Sequence, residues 1–200
     1  MKADMSTVKQ GEFLLLLLNK HEVKNMAEKI EVMISEEKLM KRIDELAKEI
    51  NEDYAGKELL IICILKGSVF FSCELAKRLT VPVTFDFMQV SSYGDGTSTT
   101  GSIKIIKDLD GPITGKEVLI VEDILDSGRT LCRLLSILSV SNPASLRVCT
   151  LLDKPSRREF PVDVDYNGFE IEDEFVVGFG LDYAQKYRNL PYIGIVRFEN

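Results

Sequence analysis

The sequence predicts an α/β fold: a doubly wound, mostly parallel twisted sheet flanked by helices. Apolar runs of strand length alternate along the chain with stretches whose apolar residues recur every three or four positions, as on one face of a helix. Several of these runs are apolar throughout, which is typical of parallel strands covered on both faces. Strands that alternate with helices form parallel βαβ units. The 200 residues, 45% of them hydrophobic, are enough for one buried core.

The first predicted helix begins after Ser35. A serine hydroxyl can cap a helix, and the acids Glu36 and Glu37 follow at the positive end of the helix dipole. Gly56 is a suitable end for this helix. Its apolar face comprises Leu39, Ile43, Leu46 and Ile50, at spacings of four, three and four.

The remaining elements follow from the same patterns. Predicted strands cover residues 58–65, 83–90, 102–106, 118–121, 146–152, 175–179 and 192–196, and predicted helices cover 69–79 and the stretch from the acidic turn after 121 to 140. Residues 91–101 are polar, contain glycine and lack hydrophobic periodicity. A loop of that length is a candidate for a functional role.

The charge balance is acidic, with 32 Asp and Glu against 25 Lys and Arg and a net charge of −7. A protein that grips nucleic acid through a basic face has the opposite balance, so we expect no nucleic-acid partner. Because the overall charge repels phosphate, a phosphate ligand would have to be bound by local groups, such as backbone N–H groups, a few Lys or Arg side chains, or a metal ion.

Neither a membrane segment nor export is expected. The run Leu14–Leu18 is far shorter than the roughly 20 residues that span a bilayer. It also lacks the basic region and the cleavage site of a signal peptide. Four scattered cysteines without a C-x-x-C pattern predict buried free thiols in a cytoplasmic protein.

The segment 116–131, KEVLIVEDILDSGRTL, carries the strongest chemical signal. A buried strand runs into Glu122 and Asp123, and then into Asp126 and a Ser-Gly-Arg-Thr turn that opens a helix. Ligands of open α/β sheets bind at the carboxyl ends of strands, and such a turn suits a phosphate. The paired acids suit sugar hydroxyls or an outer-sphere contact to Mg²⁺. The alternative is that all three acids are solvated turn residues without a ligand. We consider it the weaker explanation, because acids buried next to an apolar strand are costly unless they have partners.

This segment resembles the phosphoribosyl-diphosphate (PRPP) binding motif of type I phosphoribosyltransferases. Asp126, directly before Ser-Gly, is similar to the residue in the hypoxanthine–guanine branch of that family. The resemblance covers residues 34–196 and implies a small hood formed by the N- and C-terminal segments. Further similar segments are Leu65-Lys66-Gly67-Ser68, where the family has a non-proline cis peptide between the Leu and Lys equivalents, together with 91–94, LLDKPSRR around Lys154, 175–183 and 187–191.

The resemblance implies a reaction that joins PRPP and a 6-oxopurine into a nucleoside monophosphate and pyrophosphate, with Mg²⁺ as cofactor and Asp126 as the base for the purine N7 proton. The implied PRPP and phosphate residues are Glu122, Asp123, Asp126, Ser127, Gly128, Arg129 and Thr130. Those for pyrophosphate are Lys66, Gly67 and Arg188. Those for the purine are Lys154, Phe175, Val176 and Asp182. The implied lid residues are Ser92 and Tyr93, and the implied metal ligands are Glu122, Asp123 and Asp182.

Two other functions stay open: a PRPP-sensing regulatory protein on the same fold, and a variant enzyme that prefers xanthine. The resemblance also implies a homodimer or homotetramer. Residues 1–25 match nothing in the family and are expected to be an extension or leader, whereas residues 26–200 are expected to form a single domain.

Overall fold

The computed structural model describes residues 27–92 and 103–199. Its helices are α1 (Glu36–Asp53), α2 (Val69–Ala76) and α3 (Arg129–Ser139), with a short 3₁₀ turn at Pro155–Arg157. Its strands are β1 (Ala27–Ile34), β2 (Leu59–Leu65), β3 (Val83–Ser92), β4 (Ile103–Lys107), β5 (Glu117–Leu125), β6 (Ser145–Asp153), β7 (Tyr166–Glu170), β8 (Val176–Val177) and β9 (Ile193–Glu199).

Six of these strands form the main sheet, in the order β4-β3-β2-β5-β6-β7. The pairs β3–β2, β2–β5, β5–β6 and β6–β7 are parallel, and β4 runs antiparallel to β3 at one edge. From β2 the chain adds β3 and β4 toward one edge of the sheet. It then returns to the other side of β2, where β5, β6 and β7 extend toward the opposite edge. The predicted doubly wound, mostly parallel sheet is therefore confirmed.

Helices cover both faces of this sheet because successive side chains of a strand point to opposite sides. On β2, Leu59 and Ile61 belong to one buried cluster, and Leu60 and Ile62 belong to another. The first cluster includes Leu39, Ile43, Leu46 and Ile50 of α1 and Phe71 and Leu75 of α2, whereas the second includes Leu131, Leu134 and Leu138 of α3. Each such leucine or isoleucine stabilises the fold by about 1.5–3 kcal/mol on burial.

The start of α1 is as predicted. The Ser35 hydroxyl oxygen accepts the Lys38 N–H at 3.4 Å, and Glu36 and Glu37 occupy the first turn. Leu39, the first residue of the predicted apolar face, is fully buried. The helix ends at Asp53, three residues before the left-handed Gly56.

The last two predicted strands, 175–179 and 192–196, do not join the main sheet. They belong to a three-stranded sheet of order β1-β9-β8, in which Val176 pairs antiparallel with Ile195. Only two residues of 175–179 are strand, since Gly178 has a φ of 98° and leaves the extended region. The edge of the main sheet is instead β7, which was not predicted because its sequence YNGFE contains Asn and Gly, both weak strand formers. Strand β1 was not predicted either.

The chain divides into two units. The larger, residues 32–195, carries the main sheet. Among the described residues, the smaller comprises 27–31 and 196–199, and in it Arg197 pairs with Glu31 at 3.5 Å. The hood and the domain boundary after residue 25 stay predictions.

All four cysteines are free, as predicted, but only Cys63 and Cys149 are buried, whereas Cys132 is half-buried and Cys73 is exposed. None of the helices in the described part of the chain is both long enough and apolar enough to span a membrane. The run Leu14–Leu18 lies outside the described residues.

Candidate active site

The predicted site lies at the carboxyl ends of two neighbouring parallel strands, β2 and β5. Their register pairs Cys63 with Val121, which places the loop after β2 beside the acids of β5. This loop and these acids, together with Asp182 and Arg188 from the C-terminal part of the chain, line a cleft of about 350 Å³. The predicted site residues that line it are Lys66, Gly67, Glu122, Asp123, Asp126, Ser127, Gly128, Thr130, Asp182 and Arg188.

The loop after β2 packs directly against the β5 acids. The peptide bond between Leu65 and Lys66 is cis, as the family resemblance implies. The Ser68 hydroxyl donates to the Ile64 carbonyl at 2.6 Å and closes the loop back onto its strand. Gly67 is buried, and a Cβ at that position would overlap the Asp123 carboxylate. A residue without a side chain is therefore what lets the two segments come this close.

Glu122 and Asp123 form a carboxylate pair with little counter-charge. Burial, and after it the charge of Asp123, raises the pKa of Glu122 well above its usual range. Burial also raises the pKa of Asp123 to about 6, although the Ile124 N–H, which donates to Asp123 Oδ1 at 2.8 Å, and Arg188 act in the opposite direction. Such a pair favours a ligand that brings hydroxyl donors or a cation.

The third predicted metal ligand, Asp182, already has partners. Its Oδ1 lies 2.5 Å from Arg188 Nη2, and its Oδ2 accepts the Gln185 N–H at 2.8 Å. Arg188 also donates to the Gly180 carbonyl at 2.6 Å. Within residues 27–92 and 103–199, no group of three or more His, Cys, Asp or Glu side chains is placed to hold a metal.

The oxygen donors of the cleft nevertheless fit Mg²⁺. This ion usually keeps several waters and is bound through one or two carboxylates together with substrate phosphates. Glu122 and Asp123 supply two carboxylates, and the charge of Arg188 offsets the effect of burial on Asp123 only in part. The remaining ligands would be waters and oxygens of the substrate.

The turn that opens α3 supplies an anion-binding geometry. Gly128 has a φ of 79°, in the left-handed region that favours glycine, and the helix begins at Arg129. The first N–H groups of a helix have no partner within the helix, and its dipole is positive there. The Arg129 side chain points elsewhere, to Glu159 at 2.9 Å and over the ring of Phe160 at 5.2 Å.

Of the predicted purine residues, Asp182 lines this cleft, whereas Lys154, Phe175 and Val176 do not. Lys154 follows β6 and is only 8% exposed. Its Nζ donates to the Glu174 carbonyl at 2.7 Å and lies 3.4 Å from Asp173 Oδ1. Phe175 is 53% exposed, with its ring edge-on to Tyr183 at 5.5 Å, and Val176 is buried in β8.

Of the two predicted lid residues, Ser92 is the last residue of β3, and its backbone pairs with Ile103 of β4. Tyr93 lies outside the described residues. The lid stays a prediction.

Residues 33–184 match the phosphoribosyl transferase domain, which is more than half of the chain. The chain belongs to the phosphoribosyltransferase family. It is therefore a pentosyltransferase, and the family predicted from the PRPP motif is confirmed.

Individual phosphoribosyltransferases are similar over most of their length. The hypoxanthine phosphoribosyltransferase of Salmonella typhimurium is 54% identical over 173 residues, which covers 86% of this chain and 97% of that protein. The crystal structure of a hypoxanthine-guanine phosphoribosyltransferase from Bacillus anthracis matches with a TM-score of 0.80 and 46% identity, over 86% of this chain and 99% of that one. A hypoxanthine phosphoribosyltransferase from Staphylococcus aureus matches with a TM-score of 0.80 and 48% identity, over 84% and 91%.

Two charged residues of this phosphoribosyltransferase site were not predicted. Arg157 Nε lies 3.1 Å from Asp126 Oδ1, and Arg157 Nη1 lies 3.4 Å from Asp173 Oδ2. Arg157 lies within the LLDKPSRR segment, three positions after Lys154, and Asp173 lies two positions before Phe175. Their contacts could not be predicted, because nothing in the spacing shows that these segments meet.

Proposed function

We propose that this phosphoribosyltransferase transfers the phosphoribosyl group of PRPP to hypoxanthine, guanine or both, in purine salvage. The products would be IMP or GMP and pyrophosphate. The observation that carries the proposal is one cleft in which the β5 acid pair, the α3 turn and the loop at Gly67 lie together. A ribose, a 5′-phosphate and a pyrophosphate need these three environments at once. The names of the similar proteins support a 6-oxopurine as the acceptor.

The residues that line the cleft would bind PRPP. Glu122 and Asp123 would accept hydrogen bonds from the ribose hydroxyls. Ser127, Gly128, Arg129 and Thr130 would hold the 5′-phosphate, with Arg129 contributing its backbone N–H because its side chain is engaged by Glu159. Lys66, Gly67 and Arg188 would hold the pyrophosphate.

The cleft would hold Mg²⁺ through Glu122, Asp123 and Asp182, directly or through water. When bound, the ion neutralises negative charge on the pyrophosphate leaving group. The family normally uses this ion, and the low counter-charge at the acid pair supports it here. Because the chain itself carries a net charge of −7, it offers little general attraction for so anionic a substrate.

Asp126 would act as the general base that accepts the proton from purine N7. It lies between the acid pair and the phosphate turn, and it lines the same cleft. About half of its side chain is exposed, so it can reach a bound substrate. A positioned base contributes about 10²–10⁴-fold to a rate.

Lys154 would donate to the purine O6, Phe175 would stack on the base, and Val176 and Asp182 would bind its edge. Lysine is a donor only, so it matches the 6-oxo group of hypoxanthine or guanine and opposes the 6-amino group of adenine. Phe175 supports a stacking role because it is a large aromatic side chain that remains 53% exposed.

The deciding experiment is pyrophosphate release from PRPP with hypoxanthine, guanine, xanthine and adenine, for the wild type and Asp126→Ala. We expect turnover with hypoxanthine or guanine, little with adenine, and a loss of about 10²–10⁴-fold in kcat for Asp126→Ala. Absence of turnover with every oxopurine would favour a PRPP-sensing regulatory protein, whereas a preference for xanthine would identify the variant enzyme. An Asp126→Ala protein at full rate would refute the base assignment.

We further propose that the protein is cytoplasmic and forms a homodimer or homotetramer, and that residues 26–200 form the enzyme domain. Four free cysteines support a reducing compartment. Light scattering on the full chain measures the oligomeric state. Activity of a chain that starts at Met26 tests the domain boundary.

A further inference from the structure

Arg157 connects two carboxylates that belong to different parts of the site. It pairs with Asp126 at 3.1 Å and with Asp173 at 3.4 Å. Asp173 also pairs with Lys154, at 3.4 Å. A continuous series of charged groups, Asp126–Arg157–Asp173–Lys154, thus runs from the proposed base to the lysine proposed to bind the purine.

The backbone that carries the arginine is tied to the backbone around Asp126 on both sides. The Lys154 N–H donates to the Leu125 carbonyl at 2.9 Å, and the Glu159 N–H donates to the Ser127 carbonyl at 3.0 Å. These two bonds hold the ends of a short segment against the residues before and after Asp126. The backbone from which the Arg157 side chain extends to Asp126 is therefore held in place.

The contribution of these ion pairs is geometric more than energetic. The side chains of Asp126, Arg157 and Asp173 are each about half exposed, at 47%, 52% and 51%. Exposed pairs contribute little to stability because water screens them. A guanidinium, however, is a planar group with donors in fixed directions, so it sets the orientation of the carboxylates that it binds.

We infer that Arg157 is a positioning residue for the transfer reaction, which holds the Asp126 carboxylate in the orientation that accepts the purine proton. Holding Oδ1 of Asp126 determines where its Oδ2 points. A general base must lie within hydrogen-bond reach of the proton that it removes, so a freely rotating carboxylate would be in place for only part of the time. Asp173 fixes the other edge of the guanidinium. The inference rests on the proposed function, because it requires Asp126 to be the base.

The first test is the kinetics of Arg157→Gln. We expect kcat to fall about tenfold, while KM for PRPP and for hypoxanthine stays within about twofold, since the arginine acts on the base and not on substrate binding. Arg157→Lys keeps the charge but loses the planar group, and it should recover part of the rate. The matched control is Arg78→Gln, which also removes an arginine that pairs with two acids, Asp44 and Glu74, outside the cleft. Its kcat should be unchanged.

The second test is a double-mutant cycle. Once Asp126→Ala has removed the group that is positioned, Arg157→Gln should cause no further loss of kcat. Full activity of Arg157→Gln, or the same tenfold loss in both backgrounds, would overturn the inference. These results leave the proposed function intact, because Asp126→Ala would still lose activity. If Asp126→Ala itself keeps the wild-type kcat, the base assignment is wrong and the inference falls with it.

Discussion

Gly67→Ala tests the close contact on which the cleft is built. A Cβ at position 67 would lie 2.6 Å from Asp123 Cγ and would overlap its Oδ2, whereas carbon atoms in contact are about 3.5–4.0 Å apart. The Asp123 carboxylate would therefore have to move by about 1 Å or more. Overpacking of this kind costs about 1–3 kcal/mol, or a fall of about 2–12 °C in Tm for a chain of this length. We also expect kcat/KM for PRPP to fall by at least about tenfold, because the same carboxylate is proposed to bind the ribose.

Thermal unfolding and initial-rate kinetics measure both effects. Gly111→Ala is the matched control, since a Cβ there has nothing within 4 Å, and its free energy of unfolding should change by less than about 0.5 kcal/mol. In an Asp123→Ala background the clashing atoms are gone, and the nearest remaining one, the residue 123 Cβ at 3.4 Å, is at an acceptable distance. Gly67→Ala should then cost less than about 0.5 kcal/mol. An equal cost in both backgrounds would show that the contact with Asp123 is not what requires glycine.

Two further predictions concern the charged groups. In EDTA, the free energy of unfolding should fall relative to Asp123→Asn, by about 1–3 kcal/mol, as the pH rises from about 4 to about 7. The stability falls because the pKa of Asp123 is about 6 in the folded state and 3.8 in the unfolded state, so the folded state binds more protons in this pH range. Urea titrations at about pH 4 and about pH 7 measure the free energy of unfolding of both proteins. The same pH dependence for the wild type and Asp123→Asn would contradict the prediction. Lys154→Met should lower kcat/KM for hypoxanthine by about 10–150-fold, the worth of a hydrogen bond from a charged donor, and should narrow the preference over adenine. Competition assays with the two bases measure this, and an unchanged preference would show that Lys154 does not read the 6-position.

Most strands of the main sheet could be predicted, because the pattern that identifies each strand lies within a few neighbouring residues. Residues 59–65 and 118–121 are apolar throughout, a composition typical of strands covered on both faces. The segment 122–130 was equally readable, since two acids at the end of such a strand must serve a purpose that offsets their burial. The final strand was predicted correctly as β9, whereas β1 and β7 were missed and only two residues of 175–179 are strand. Gly178 ends β8 early, and β7 forms because its YNGFE sequence pairs with β6 despite a weak strand propensity.

The sequence by itself determined that the chain forms a mostly parallel sheet covered on both faces, and it determined the family, because apolar periodicity and a contiguous motif are properties of neighbouring residues. Only the tertiary structure decided that Gly67 lies against Asp123 and that Arg157 binds Asp126. These partners are separated by 56 and 31 positions, as their residue numbers give directly. The physical reason is that parallel strands bring their carboxyl ends to one edge whatever the length of chain between them, so contacts at the site depend on strand order and register, which no local pattern encodes.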